Sequence, residues 1–459
     1  MNYYLNRYTV RGELIQQKPN NDLSIVVVIP CHNEPDLVGS LQSLANCKPP
    51  NCSIEVITVV NASEKADAAI INQNKKSLKD AKAWYAAYLS EIASPYAITF
   101  HFIEENALPK KHAGVGLARK IGMDEAVCRF EAIDNHKGII ACYDADASCE
   151  TNYLVELEKH FKENPKSPAC SIHFEHPIEG REHSEAIYNG IMQYELHLRY
   201  YKNGLAYAGL PYAFHTIGSS MAVRSEAYQK QNGMNKRKAG EDFYFLQKLI
   251  PLGNFTEIKT TKIIPSPRVS DRVPFGTGKA MQSWLDAEKD ELLSYNPKSF
   301  IDLKLFAEAV PKLYDGINEI PQTVQAFLDT IDFEENLTNI KKNSKSQKHF
   351  SEVFFKWFNA FKVLKYMHFA RDTFYPDVVI FDGVQNVGTA ENPEYVENNT
   401  PYALANAADG LGSYYRVKYG FGGATQMNVH DGSWIRLREV TLSYSLPSSM
   451  LEGTFIEGV

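Results

Sequence analysis

The chain has 459 residues, with 48 lysines and arginines against 55 aspartates and glutamates, and a formal net charge of -7 at pH 7. This length predicts roughly two to three domains, or one large catalytic domain with additions, and the acidic balance argues against a general nucleic-acid binder. The 7 cysteines include no Cys-x-x-Cys pair, which indicates reduced thiols in a cytoplasmic protein.

Apolar runs and helix-like periodicity alternate along the first half of the chain. Short apolar runs rich in β-branched residues predict strands at residues 23–30, 54–60, 98–103 and 138–143. Apolar spacing of the helical kind predicts helices at residues 36–45, 75–92, 114–128 and 182–201, and residues 214–223 have a strand-like pattern. Strands separated by helices of about ten residues or more predict an α/β fold with a mostly parallel, doubly wound sheet.

The composition changes near residue 339. Residues 339–349 are basic and polar, which predicts a solvated loop. Residues 350–372 carry apolar side chains at helical spacing, namely Phe354, Trp357, Phe358, Phe361, Leu364 and Phe369. We expect this helix to pack on the catalytic core. The alternative is an interfacial helix that turns its lysines, Lys356, Lys362 and Lys365, towards anionic lipid.

Beyond residue 381 the sequence becomes rich in glycine and asparagine and then alternates in a β-type pattern. These changes predict three parts: a catalytic domain at 1–338, a basic loop and aromatic helix that close it at 339–380, and a β-rich tail at 381–459.

Two aspartates, Asp144 and Asp146, follow the fourth predicted strand. The carboxyl edge of an open α/β sheet is where ligands bind. Carboxylates one residue apart can share one divalent cation, and phosphate oxygens commonly fill its remaining positions. The pattern therefore suggests a metal-bridged diphosphate, although a solvated turn is the alternative.

Two further groups have side chains suited to catalysis or anion binding. Glu241 and Asp242 precede a helical pattern, where they would cap the helix, and this placement is compatible with a role as a general base. Arg268 and Arg272 lie in a glycine- and proline-rich loop. Guanidinium groups suit diphosphate oxygens, and surface arginines in an ordered loop are the alternative.

Four motifs in chain order resemble those of family 2 glycosyltransferases with the GT-A fold. They are Ile29-Pro30-Cys31-His32-Asn33-Glu34, Gly114-Val-Gly-Leu-Ala-Arg119-Lys-Ile-Gly122, Asp144-Ala145-Asp146 and Gly240-Glu241-Asp242. The resemblance implies a GT-A domain of α/β class and a hexosyltransferase that moves a sugar from a UDP- or GDP-linked donor to a hydroxyl acceptor, assisted by Mn²⁺ or Mg²⁺.

The resemblance also implies roles for individual residues. Asp144 and Asp146 would hold the metal ion, and Asp242, or less favourably Glu241, would be the general base that takes the acceptor proton. The side chains or backbone expected at the nucleotide sugar are those of Pro30, His32, Asn33, Glu34, Asn61, Gly114, Arg119, Asp144, Arg268 and Arg272.

The sequence departs from the family after the second strand. Many relatives carry paired aspartates there, whereas this chain has Val60-Asn61-Ala62-Ser63. Asparagine offers both a donor and an acceptor, so the choice between uridine and guanosine stays open. The Gln-x-x-Arg-Trp signature of processive synthases and their membrane helices are missing, which predicts single addition by a cytoplasmic enzyme, with the inner face of the membrane as an alternative location.

The tail, residues 381–459, resembles the C-terminal region of SusC-like TonB-dependent outer-membrane transporters, above all in the phrase Asp431-Gly-Ser-Trp-Ile-Arg-Leu-Arg-Glu-Val-Thr-Leu-Ser-Tyr-Ser-Leu-Pro447. We expect it to add nothing to catalysis, and an ordinary small β-domain is the alternative. Two other functions are kept open: a transporter fragment, and a nucleotidylyltransferase. The second is disfavoured because residues 30–34 lack the glycine-rich loop with arginine that opens such enzymes.

Overall fold

The computed structural model describes residues 2–91, 98–270, 276–286 and 293–379, with the backbone of two further short strands. The strands are β1 (Leu23–Cys31), β2 (Ser53–Ser63), β3 (Thr99–Leu108), β4 (Ile139–Cys142), β5 (Ser148–Cys149), β6 (Ala169–Phe174), β7 (Met221–Arg224), β8 (Thr256–Ile264), β9 (Leu293–Ser294), β10 (Val378–Val379), β11 (Val384–Asn386) and β12 (Tyr395–Glu397).

Helices precede, separate and follow these strands. They are α1 (Tyr3–Arg7), α2 (Leu37–Ala45), α3 (Ala68–Glu91), α4 (Val115–Glu131), α5 (Tyr153–Glu163), α6 (Glu185–Tyr207), α7 (Ser225–Lys230), α8 (Glu241–Leu249), α9 (Thr277–Asp286), α10 (Pro297–Leu313), α11 (Gln322–Leu328), α12 (Phe333–Lys342), α13 (Gln347–Trp357) and α14 (Ala360–Thr373). A single 3-10 turn, Ile250–Leu252, follows α8.

The main sheet has the strand order β3-β2-β1-β4-β7-β6-β8-β5. Parallel pairing joins β1 to β2 and β4, β2 to β3, and β6 to β8, whereas β7 runs antiparallel to both β4 and β6. Because β7 runs antiparallel to both of its neighbours, β4 and β6 point in the same direction. The carboxyl ends of β1, β2, β4 and β6 therefore lie at the same edge of the sheet. The predicted α/β class, with a mostly parallel sheet flanked by helices, is confirmed.

Both faces of the sheet are covered, which explains the continuous apolar runs of its central strands. One face packs a hydrophobic core against α2, α3 and α5, with side chains such as Leu41, Leu78 and Leu157. The other face packs against α4, where a Cβ added to Gly122 would lie 2.5 Å from Val28 Cγ1. This close approach places α4, which carries Arg119 in its first turns, directly over the central strands.

Three predictions about local structure are wrong. Residues 214–220 are not strand, since β7 begins only at Met221. The predicted loop at 339–349 is partly helical, because α12 runs to Lys342 and α13 begins at Gln347. The single predicted helix at 350–372 is broken after Trp357, and Asn359 accepts hydrogen bonds from the backbone N–H groups of Phe361 and Lys362, both at 3.1 Å.

Capping explains these helix boundaries. Asparagine and serine side chains satisfy the first backbone N–H groups of a helix, so they favour a new start over continuation. Ser346 caps α13 in the same way through the N–H of His349, at 3.2 Å. Of the aromatic side chains expected to pack, Phe354 and Phe358 are fully buried, whereas Phe361 is exposed, at 37%. In the part of the chain that the structure describes, no helix is both long and apolar enough to cross a membrane.

We expect a truncated protein that ends at Val379 to keep the thermal stability of the full chain. β10 pairs with β9 through Val378 and Ser294, and the Tyr375 hydroxyl donates a hydrogen bond of 3.0 Å to Asp302. A truncation at 379 keeps both contacts, whereas one before residue 375 removes them. Thermal unfolding of the two truncated proteins and the full chain measures this. A marked loss of stability on truncation at 379 would show that later residues belong to the catalytic domain.

Most of residues 381–459 lie outside the described residues. In this region the structure describes the backbone of β11 and β12, which pair antiparallel. The three-part domain division and the transporter resemblance of the tail therefore stay predictions.

Candidate active site

The turn after β1 is tied to the end of β2 and to α3. The His32 ring nitrogen Nδ1 lies 2.8 Å from the backbone oxygen of Asn61. Asn74 on α3 donates to the same oxygen at 3.0 Å and accepts from the backbone N–H of Asn33 at 2.9 Å. Asn33 itself has a positive φ of 50°, a conformation that asparagine tolerates better than most residues. These contacts fix the backbone at the sheet edge.

Asn61 lies within β2 and is almost fully buried. Its side-chain oxygen Oδ1 has no hydrogen-bond partner among the described residues. A buried amide oxygen without a partner carries a free-energy cost that a hydrogen-bond donor on a ligand or water would remove. Asn61 therefore fits the predicted role of holding the base of a nucleotide.

Sequence reasoning missed Asn74. Asn74 is buried on α3, and its hydrogen bonds join the turn after β1, at Asn33, to the end of β2, at Asn61. The predicted helix begins at residue 75, whereas α3 begins at Ala68, so Asn74 lay outside the predicted element and was not recognised as a buried helix residue.

Arg268 bridges the turn after β1 to the aspartate triplet. Its guanidinium donates from Nη1 to Glu34 Oε1 at 3.0 Å, and Nη2 forms ion pairs with Glu34 and, at 2.7 Å, with Asp146. Glu34 is buried, whereas the side chains of Arg268 and Asp146 remain partly exposed, at 23% and 29%. Three predicted site residues, far apart in sequence, thus meet in one ion-pair network at the carboxyl edge of the sheet.

Arg119 forms a second network with two acidic side chains. This fully buried arginine on α4 donates from Nη2 to Asp144 Oδ1 at 2.7 Å and from Nη1 to Glu241. Because both of its terminal nitrogens, Nη1 and Nη2, donate to carboxylates, Arg119 positions the aspartate triplet and the start of α8 relative to each other.

Glycines permit the close approach that this network requires. A Cβ on Gly218 would lie 2.7 Å from Arg119 Nη1, and one on Gly116 would lie 2.2 Å from the backbone oxygen of Arg237. Gly114, expected at the nucleotide, packs against the backbone of Lys238, where a Cβ would lie 2.9 Å from its Cα. The glycine-containing start of α4 therefore fits against the chain that leads into α8.

Glu241 and Asp242 occupy the first turn of α8, and the residue before them, Gly240, has a left-handed φ of 67°. Burial raises the pKa of Glu241 to about 7, with Arg119 opposing the shift and Asp242 adding to it. Burial likewise raises the pKa of Asp242, again opposed by Arg119. Asp242 Oδ1 accepts from the N–H of Phe243 at 2.7 Å, and its side chain is only partly buried. Glu241 is held by Arg119, so Asp242 is the member of the pair better placed to meet a substrate.

The remaining predicted residues are placed as follows. Pro30 is buried in β1 opposite Val59, and Arg272 lies outside the described residues. Asp144 and Asp146 both reach the partly exposed edge, with side-chain exposures of 38% and 29%. Their oxygens suit a hard divalent cation, which is often held by one or two carboxylates and phosphate oxygens. Within the described ranges, no group of three or more histidine, cysteine, aspartate or glutamate side chains forms a metal site.

The fold and this edge define an α/β protein with a polar, partly exposed site lined by two arginine–carboxylate networks. No protein-family model and no curated protein sequence matches the chain. Solved structures of S. aureus TarS are similar to it. TarS 1-349 in complex with UDP-GlcNAc is 12% identical, with a TM-score of 0.36 and coverage of 82% of this chain and 99% of that one.

Two further TarS structures give similar values. TarS 1-349 in complex with UDP is 14% identical at a TM-score of 0.35, covering 81% of this chain and 98% of that chain. A longer TarS structure is 13% identical at a TM-score of 0.35, covering 82% of this chain and 60% of that chain. Likeness at this level assigns neither a family nor a substrate, so the function is argued from the site itself.

Proposed function

We propose that this chain is a glycosyltransferase that moves a sugar from a nucleoside diphosphate to a hydroxyl acceptor, one sugar at a time. The observation that carries the proposal is the double ion pair of Arg119, which joins Asp144 at the end of β4 to Glu241 at the start of α8. This double ion pair holds Asp144, which we propose as a metal ligand, to the first turn of α8, which also carries Asp242, the proposed general base.

The donor side of the site is formed by the ends of β1, β2 and β4. Asn61 Oδ1 is buried and has no hydrogen-bond partner among the described residues, and we expect it to accept a hydrogen bond from the nucleotide base once a local movement exposes it. Arg268 offers a planar guanidinium suited to diphosphate oxygens. Since Arg268 is paired with Glu34 and Asp146 in this structure, donor binding requires it to exchange at least one carboxylate for phosphate oxygens.

A divalent ion, Mn²⁺ or Mg²⁺, fits the same edge, where Asp144 and Asp146 would hold it. Bound there, it would neutralise the leaving diphosphate as a Lewis acid. Asp144 keeps Arg119 as a partner on Oδ1 alone, and a carboxylate has further lone pairs for a second partner. To bind the ion, Asp146 must either share its carboxylate between the ion and Arg268 or break its ion pair with Arg268.

The acceptor side is formed by the start of α8. Asp242 takes the proton from the attacking hydroxyl, and the N-terminus of α8 stabilises its ionised form. Glu241 and Arg119 are positioning residues, because their side chains bind each other and lie buried behind the carboxylate edge. A general base on the acceptor side suits a direct displacement of the diphosphate by the acceptor hydroxyl, which inverts the configuration at the transferred sugar carbon.

A thermal-shift experiment tests the proposal. The full chain is heated with UDP, GDP and their common sugar conjugates, each with and without Mn²⁺. We expect one nucleotide to raise the melting temperature, and Mn²⁺ to enlarge the rise. A ligand that binds only the native state stabilises that state against unfolding, by about 2.7 kcal/mol when the ligand concentration is ~100 times the Kd.

Two variants separate the metal assignment from the nucleotide assignment. Asp146→Asn is expected to lose the Mn²⁺-dependent part of the shift, because an amide is a weaker ligand for a hard cation. Asp80→Asn, which changes an exposed aspartate on α3 paired with Lys76, serves as the matched control. An unchanged Mn²⁺ effect in Asp146→Asn refutes the metal assignment, and no shift with any nucleotide in the folded wild type refutes the donor site.

A further inference from the structure

Two cysteines lie side by side next to the aspartate triplet. Cys47 follows the end of α2 and Cys149 ends β5, three residues after Asp146, and their Sγ atoms are 3.6 Å apart. No disulfide joins the cysteines of the described residues. Both side chains are only partly buried, whereas Cys31, Cys142 and Cys170 are buried in the core.

The backbone around the pair holds the two thiols together. The N–H of Cys149 donates to Ser43 Oγ at 2.9 Å, which ties β5 to α2. Ser40 Oγ donates to the oxygen of Ala147 at 2.8 Å, and the N–H of Lys48 donates to the oxygen of Thr151. Since both segments are anchored on each side of the cysteines, the two sulfur atoms meet without a rearrangement of the fold.

The pair is electrostatically asymmetric. Hydrogen bonding from Cys47 lowers the pKa of Cys149, with Ser43 and Tyr143 adding to the effect, although burial opposes it. The same interaction raises the pKa of Cys47. The geometry points the same way, because Cys47 Sγ donates to the backbone oxygens of Ser43 and Glu150, whereas Cys149 Sγ lies 3.6 Å from the Ser43 hydroxyl, which can donate to a thiolate. Since the thiolate is the reactive form, Cys149 is the first nucleophile and Cys47 the thiol that follows.

We propose that Cys47 and Cys149 form a reversible, peroxide-driven disulfide that fastens α2 to the segment carrying Asp144 and Asp146. The Cys149 thiolate attacks one oxygen of hydrogen peroxide, the O–O bond breaks, and the hydroxide released takes up a proton to become water. Cys47 then attacks the resulting sulfenic acid, the S–O bond breaks, and a second water leaves. Two thiols and one hydrogen peroxide thus give one disulfide and two waters.

Peptide mapping of the peroxide-treated protein tests this inference. The reduced full chain is exposed to hydrogen peroxide, its remaining thiols are alkylated, and it is digested without reductant. We expect a peptide that links Cys47 to Cys149, a loss of two hydrogen atoms from the intact mass, and reversal of both by dithiothreitol. Full alkylation of both cysteines after peroxide treatment overturns the proposal, as does a disulfide between other cysteines.

Single variants give a second, independent readout. Cys47→Ser is expected to accumulate sulfenic acid on Cys149, detected by dimedone labelling, because the second thiol is missing. Cys52→Ser, which changes another partly buried cysteine, is the matched control and should keep the cross-link. Loss of the cross-link in Cys52→Ser contradicts the assignment. The readout is a mass, so it does not depend on the proposed transferase activity.

Discussion

Asp242→Asn is expected to lower kcat by about 10²–10⁴-fold, the usual contribution of a general base. The amide cannot take the proton of the acceptor hydroxyl, but it preserves the shape of the side chain and can still accept from the N–H of Phe243. Nucleotide-induced thermal shifts should therefore stay at the wild-type level. Initial-rate kinetics with the donor that the thermal-shift screen identifies, and with a set of hydroxyl acceptors, give kcat and KM separately.

The pH dependence provides a check on the same residue. Burial raises the pKa of Asp242, so the wild-type rate should fall as pH drops through that raised pKa and the base becomes protonated. Asp242→Asn should lose this acidic limb of the profile. Asp329→Asn, on the exposed end of α11, is the matched control and should keep both the rate and the profile. Wild-type turnover in Asp242→Asn would exclude this residue as the base.

Arg119→Met is expected to lower the free energy of unfolding by about 3–5 kcal/mol, the range for breaking a buried ion pair by removing one partner. The substitution leaves Glu241 buried without its cation and releases Asp144 from the start of α4. Urea unfolding, with the m-value compared between proteins, measures this loss. Nucleotide binding should weaken as well, because the aspartate triplet loses the side chain that holds it in place.

A second substitution distinguishes loss of the charge partner from loss of packing. Arg119→Met combined with Glu241→Gln should recover part of the lost stability, because a neutral amide is cheaper to bury than an unpaired carboxylate. Arg371→Met, which breaks a more exposed pair with Asp372, should lower the free energy of unfolding far less than Arg119→Met. If Arg119→Met costs no more than Arg371→Met, the buried network does not organise the site.

Much of the fold could be predicted because burial imposes a pattern on the sequence. The runs at 23–30 and 138–143 are apolar throughout, since β1 and β4 are covered on both faces, and the structure places strands at both. The carboxylates of Asp144 and Asp146 follow directly, because the end of a parallel strand has a fixed place at the sheet edge. The break after Trp357 was missed because helical spacing continues across a position where Asn359 starts a new helix.

Pairings between distant residues could not be predicted. Arg119 and Glu241 are 122 positions apart, Glu34 and Arg268 are 234 apart, and Cys47 and Cys149 are 102 apart. Nothing in the local sequence of these residues specifies a partner, because each pair forms only when the sheet order brings two segments together. Arg119 is an example. Its motif predicts a contact with the nucleotide, and in the structure both of its terminal nitrogens form ion pairs with carboxylates.

Local sequence patterns were enough to predict the α/β class, the approximate position of the central strands and the presence of carboxylates where those strands end. These are consequences of periodicity and strand direction, which act over a few residues at a time. Other features depend on three-dimensional packing: which charges neutralise each other, the link that Asn74 makes between the turn after β1 and the end of β2, and the contact of two cysteines near the aspartate triplet. The reason is that ion pairs, buried hydrogen bonds and thiol contacts depend on distances through space, which are set by the packing of the whole sheet and its helices.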